Sequence, residues 1–422
     1  MQSFYPLRNT VQPYDWGSTH VIQQLLGLDV DGAPAAELWL GAHPVAPSLT
    51  VHDGTATSLV DLVRDDPVAT LGQRVQDTYG PRLPYLLKVL AAERGLSLQV
   101  HPRPHLARAG FNRENAAGVP LGAPERSFRD DQHKPEMIVA LTPFEGLAGF
   151  RRPRQALALL AGLDGTLVGR MRDALGRGRS ADAVRRAFEL AVHARTADDA
   201  APDLDRSLAS VGRRAGGGGE AAASGATEGA PGGAAAAVRA RADAVALRLG
   251  EQYPGDPGVL ASYLLNVFTL EPGEAVFLAP GQVHAYVRGA GVEIMASSDN
   301  VLRAGLTHKR VDVDALLECS DFVPAPPPRP ATSRLARGLT TYRVPIREFG
   351  LVVGDVLPVD GELALPGEGP RVVLALGGVL RLRAGAGADT CTVAAGESVF
   401  VPDAAGTLSV CGEGRVTVAY VP

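Results

Sequence analysis

Only three cysteines occur in the 422 residues, Cys319, Cys391 and Cys411. They are too few and too scattered for a disulfide framework or a cysteine-based zinc site, which points to a reducing, cytoplasmic compartment. Charge of one sign is not in excess either. Lys and Arg number 41 against 46 Asp and Glu, a net −5, which excludes a nucleic-acid protein held by a diffuse basic surface. No apolar run approaches the roughly 18 residues of a membrane-crossing helix. The first residues, Met1 to Arg8, lack the apolar h-region of a secretory signal. A glycine-rich phosphate loop is also missing, because Gly385-Ala386-Gly387 carries no more of that pattern.

What is plentiful is glycine and proline, 49 and 32 residues, which favours many short strands and turns over a helical bundle. Leu83–Leu90 and Leu96–His101 read as strands of a mainly antiparallel sheet within residues 1–150. Between 151 and 258 the texture changes. Leu167, Met171 and Leu175, then Val184, Phe188 and Val192, recur every four positions, which predicts amphipathic helices. Their run of arginines, Arg170 to Arg186, is broken by Asp173 and Asp182 and reads as a solvated helix face. The Gly/Ala-rich stretch at about 213–236 has little to bury and reads as a flexible loop. Strands resume over 259–323. Pro324–Pro330 reads as a stiff linker, and the Val-rich, Gly-punctuated tail to residue 422 as a small all-β domain.

Three segments carry metal-binding chemistry. In Leu98-Gln99-Val100-His101, alternation puts Gln99 and His101 on one face of a strand, about 7 Å apart at roughly 3.3 Å per residue. Glu136 follows the rigid Pro135 and abuts the apolar run Met137–Leu141. His284 begins a new strand just after the Pro280-Gly281 turn. Together these four offer two nitrogens and two oxygens, a set that Zn²⁺ accepts with room left for water or substrate. Farther on, Glu293 to Lys309 gathers Glu, Asp, Asn, Arg, His and Lys among small residues. There Arg303 and Lys309 suit a dianion, the one through a planar fork and the other as a point charge.

Six motifs in order resemble the type I mannose-6-phosphate isomerase (phosphomannose isomerase) family. They are Tyr14-Asp15-Trp16-Gly17, Glu37-Leu38-Trp39-Leu40-Gly41-Ala42-His43-Pro44, Leu98–Pro102, His133-Lys134-Pro135-Glu136-Met137, Gly281–Tyr286 and Ser298–Lys309. The resemblance implies a mainly β protein with a helical insertion: a cupin-type (jelly-roll) β-barrel catalytic domain, an α-helical domain and a C-terminal β domain. It implies one Zn²⁺ on Gln99, His101, Glu136 and His284, and a monomer acting on a hexose 6-phosphate without nucleic-acid or membrane partners. Arg303, Glu293 and Lys134 would be catalytic. Lys88, His133, Tyr286, Lys309 and Trp16 would line the substrate pocket. The chemistry implied is aldose–ketose isomerisation of mannose 6-phosphate to fructose 6-phosphate through an enediol. Its base is open among Glu293, Lys134, His133 and a zinc-bound water. The sequence departs from the pattern at His308, where relatives often carry Pro, and at Val283.

Two other readings compete. A non-haem iron oxygenase would use His101, His284 and Glu136, but it leaves Gln99 and the surrounding cations without a role. A non-catalytic sugar-phosphate-binding protein would bind without turnover and would usually carry a DNA-binding module, of which the sequence holds no sign.

Overall fold

The computed structural model describes residues 2–222, 231–385 and 389–422. Its strands form two large sheets, of ten and nine strands, and a small two-stranded ribbon. The ten-stranded sheet is organised by one long strand, His284–Ala296, which pairs with four others. Residues His284 to Arg288 pair with Leu98–Val100 and Phe144–Phe150. Residues Gly289 to Ala296 pair with Tyr85–Ala92 and Glu136–Ala140. The partners change at Gly289, whose φ is +114° and where a Cβ would come 2.7 Å from the Pro143 carbonyl oxygen. Only glycine takes that conformation and that close approach together.

Between Phe150 and Leu265 the described residues are mainly helical. The four-residue recurrence holds: Leu167, Met171, Leu175, Val184, Phe188 and Val192 are all buried in one apolar cluster. The Gly/Ala stretch is different from the expected loop. Residues 213–222 and 231–236 continue two long helices, Ala200–Ala222 and Pro231–Gln252, while 223–230 lie outside the described residues. Alanine is the best helix former. Both helices are anchored at their inner ends by Leu204, Val211, Val245 and Leu249, so propagation outward needs no new nucleus.

The nine-stranded sheet belongs mostly to residues 331–420, yet the strand Tyr5–Pro6 is also part of it, with Tyr5 opposite Phe400. One apolar cluster joins the two sheets, running from Tyr85, Val292 and Ile294 to Tyr342, Leu351, Val372 and Phe400. The proline-rich segment forms neither helix nor strand, and it is docked rather than free. Phe277 N–H donates to the Pro328 carbonyl at 2.9 Å, and Ala325 N–H to that of Phe150 at 3.1 Å. All three cysteines are unpaired. No described helix is long and apolar enough to cross a membrane.

Candidate metal centre and anion-binding cavity

Strand register brings the distant motifs together. His284 stands opposite Gln99, and Arg303, on the strand Leu302–Gly305, is opposite Gln99 on the other side. Glu136 faces both Leu278 and Met295. The result is a buried cluster of His101, Glu136 and His284, exposed by only 1%, 2% and 1%, whose ligand atoms all lie within 4.8 Å of one another.

The imidazoles are oriented from behind. His101 Nδ1 lies 2.7 Å from the Asn300 carbonyl oxygen and His284 Nδ1 lies 2.9 Å from that of Gln282. A carbonyl accepts only, so each Nδ1 carries the proton and each Nε2 turns a lone pair to the centre. Those lone pairs face the Glu136 carboxylate at 3.2 and 3.4 Å. His101 Nε2 and Glu136 Oε2 are buried without a hydrogen-bond partner. Acceptors packed against acceptors in a desolvated site call for a cation. The Gln99 amide nitrogen is 3.3 Å from His284 Nε2, and a half-turn of that amide presents its oxygen instead. The donor set therefore fits a borderline divalent metal such as zinc. Burial pushes the His101 pKa down to about 4, which keeps the neutral form a metal ligand needs. Burial alone would raise the pKa of Glu136, but positive charge beside it, from an imidazolium at His101 or, with His101 neutral, from Lys134 at 3.1 Å, outweighs burial and holds it well below the ordinary carboxylate range.

Beside this cluster lies a second one. Trp39, Lys88 and Glu293 are successive cross-strand neighbours. Lys88 Nζ is 3.3 Å from both Glu37 Oε1 and Glu293 Oε2, and 5.1 Å from the Trp39 ring centroid. Burial would depress Lys88, yet Glu37, Glu293 and Glu136 together raise it. Glu293 is pushed upward, first by burial and then by Glu136 and Glu37, with Lys88 opposing. The Tyr286 hydroxyl donates to Glu293 Oε1 at 2.8 Å, and the strand's register shifts between Tyr286 and Arg288, on the way from one to the other.

Both clusters open into one cavity of about 1250 Å³. Lys88, Gln99, Lys134, Glu136, Tyr286, Glu293, Arg303, Lys309 and Trp16, all expected from sequence, line it. Arg129, Arg303 and Lys309 face the same space, and among the described residues none has a carboxylate within 4.0 Å. Burial lowers the Arg303 pKa, and Arg129 lowers it further. Lys309 is likewise depressed by burial and by Arg303. A pocket wall of unanswered cations is complementary to an anion.

His133 is the exception. It does not line the cavity; its Nε2 meets Glu348 Oε1 at 2.7 Å, on the C-terminal sheet's side. The residue next to it, Lys134, takes the inward direction because neighbours along an extended chain alternate. Sequence reasoning assigned no role to Glu37, Trp39, Arg129, His43 or Asn300. The first two and His43 sit in a motif already singled out, and so does Asn300. Arg129 carries no local signal. Asn300 is fully buried and pins two loops. Its side-chain nitrogen donates to the Asp130 and Gln132 carbonyls, its side-chain oxygen accepts from Arg129 N–H, and its own carbonyl orients His101.

Comparison with known proteins gives consistent results. Residues 4–153 match the family model "Phosphomannose isomerase type I, catalytic domain". The chain is 33% identical over 417 residues to the mannose-6-phosphate isomerase of Escherichia coli (strain K12), covering 98% of each. It is 33% identical to that of Rattus norvegicus, covering 83% of this chain and 82% of the rat protein. Among solved structures, mannose 6-phosphate isomerase from Salmonella typhimurium, bound to its substrate f6p and to zinc, superposes with a TM-score of 0.83. It is 30% identical, with all of both chains covered.

Proposed function

The chain belongs to the type I phosphomannose isomerase family, and from that premise we propose how its own residues carry out the zinc-dependent interconversion of mannose 6-phosphate and fructose 6-phosphate. The observation that carries the reading is the juxtaposition of two clusters in one cavity: acceptors lacking a cation, and cations lacking an anion. Gln99, His101, Glu136 and His284 would hold the zinc. Bound there, zinc supplies positive charge beside the sugar oxygens as a Lewis acid.

Glu293 is the base. In the open-chain aldose its carboxylate takes the C2 proton, and the electron pair left behind forms the C1=C2 bond of the enediol as O1 gains a proton. Loss of the O2 proton and return of the held proton to C1 gives the ketose. A base must be ionised yet basic enough, and burial raises Glu293 in that direction. Tyr286 and Lys88 fix its two oxygens. Lys134 is committed to Glu136, and His133 is turned away, so of the three candidate side chains Glu293 is the one placed to move the proton. Arg303 stabilises the developing enediolate, and Arg129 and Lys309 hold the phosphate. Trp16, stacked on Tyr14 at 5.7 Å, walls the entrance. An uncharged oxygenase substrate would leave those cations unanswered.

The finer architecture belongs to the same proposal: cupin-type barrel strands over 1–150 and 259–323, a helical insertion over 151–258 and a C-terminal β domain over 324–422. It is supported by site strands converging on His284–Ala296 and by the succession of helices, with no described strand among them, from Pro153 to Ala261. A monomer acting in the cytoplasm completes it, in keeping with a site built within one chain and three unpaired cysteines. The test is a coupled assay with mannose 6-phosphate on zinc-loaded wild type, on chelator-treated protein and on Arg303→Ala. Turnover that is lost on metal removal and regained on adding zinc is expected. Full activity after verified zinc removal would sink the assignment.

A further inference from the structure

We propose that the ion pair Asp256–Arg195, contributed by the helical insertion, is a positioning device for the cationic loop 306–310 and so sets the cavity's affinity for the phosphate of its substrate. The inference rests on the functional reading above and assigns the insertion a part in it. Leu306 through Arg310 line the cavity, with Lys309 among them. The loop begins in an unusual conformation: Leu306 has φ +55°, a left-handed backbone that a non-glycine residue keeps only where its surroundings impose it.

Contacts from the insertion impose it. Thr307 N–H donates to Asp256 Oδ2 at 3.3 Å, and the Thr307 carbonyl accepts from Arg195 Nη2 at 2.9 Å. Arg195 Nη1 closes the triangle on Asp256 Oδ2. Both backbone groups of Thr307 are therefore satisfied by one ion pair, which serves this loop as a neighbouring strand serves a strand. Asp256 is itself held by Gly258 N–H, 2.8 Å from its Oδ1. The two backbones also touch: a Cβ on Gly258 would lie 3.0 Å from Gly305 Cα and 3.1 Å from Leu306 N. The pair is mostly shielded, with Asp256 and Arg195 side chains 11% and 20% exposed, so solvent does little to weaken it. From Thr307 the hold passes along the loop, because its Oγ1 accepts from Lys309 N–H at 3.1 Å. Neither Asp256 nor Arg195 lines the cavity, and they act only through the loop.

The test uses the zinc-loaded full chain with Asp256→Asn, Arg195→Gln and the double variant. Steady-state kinetics with mannose 6-phosphate are set beside calorimetric binding of inorganic phosphate, and thermal melting confirms folding. Loss of a charged hydrogen-bond partner predicts that KM and the phosphate Kd rise together by about tenfold or more. It predicts that kcat changes by less than about twofold, since loss of uniform binding raises KM alone. The double variant should be no worse than the worse single, as expected of two residues acting as a unit. Unchanged KM and phosphate Kd in the folded variants, or a fall in kcat at unchanged KM, would overturn the clamp. Should Asp256→Asn not fold, Arg195→Gln alone decides. Wild-type protein that turns over no hexose 6-phosphate would remove the functional reading, while the phosphate measurement would still decide the clamp.

Discussion

At the scale of single residues, two carboxylates a short distance apart are driven to opposite behaviour. Glu136 is held low by the positive charge beside it, and Glu293 is raised by burial. Replacing Glu293 by Gln should lower kcat by about 10² to 10⁴, the usual worth of a general base, with zinc content unchanged on metal analysis. In the proposed role Glu293 works ionised, so activity should fall as pH drops through a value above the ordinary carboxylate range of about 4.3. Stability runs the other way for this group. A raised folded-state pKa means its contribution is fully present below the unfolded value and is lost as pH rises through the folded one. At neutral pH Glu293→Gln should therefore melt no lower than wild type. Lys88→Ala removes the cation shared by Glu37 and Glu293. It should cost about 3 to 5 kcal/mol in urea unfolding and shift the acid limb of kcat to higher pH. Glu136→Gln should reduce bound zinc from about one per chain toward none, measured on protein purified without added metal.

At the scale of elements, the strand His284–Ala296 holds one proposed ligand at its first residue and the proposed base nine positions on, with the register shift between Tyr286 and Arg288 and the positive φ of Gly289 between them. Sequence alternation alone would set Tyr286 and Glu293 on opposite faces; the register shift between Tyr286 and Arg288 intervenes, and the two are in hydrogen-bond contact. Gly291 lies two residues before Glu293, and a Cβ there would come 2.8 Å from the Val139 carbonyl oxygen and 2.7 Å from Ile138 Cγ1. Gly291→Ala should lower stability by about 1 to 3 kcal/mol through overpacking, read from the urea midpoint, and reduce kcat by displacing Glu293. The Gly/Ala segment teaches the converse. Its composition reads as loop because it buries nothing, yet helices anchored elsewhere extend through its described residues. An element's boundary is decided by its neighbours as well as by its own composition.

At the scale of the whole molecule, the two large sheets share an apolar cluster, and the N-terminal strand lies in the C-terminal sheet. The Tyr85 hydroxyl also donates to the Pro370 and Ala419 carbonyls, both at 3.1 Å. His133 reaches Glu348 across the same boundary. Urea unfolding followed by far-ultraviolet dichroism and by loss of activity should therefore give one coincident transition. A chain ending at residue 323 should unfold at lower urea, because Ile294, Val292 and Tyr85 would lose their apolar cover. Two separated transitions would show that the β tail folds on its own.

Alternation along Leu98–His101, a turn before His284 and a proline before Glu136 made the four proposed metal ligands legible as candidates from sequence, because each rests on local backbone geometry. The amphipathic helices were legible for the same reason. What only the tertiary structure decided depends on which strands lie side by side. Register sets Trp39, Lys88 and Glu293 in one row and makes Glu37 a partner of Lys88. Packing turns His133 outward and leaves Arg129, with no motif of its own, facing the cavity. A sequence specifies each residue's chemistry and its local direction. The distance between two charged groups far apart in the chain, and so which of them is a base, an ion-pair partner or an anion's counter-charge, exists only once the sheets have formed.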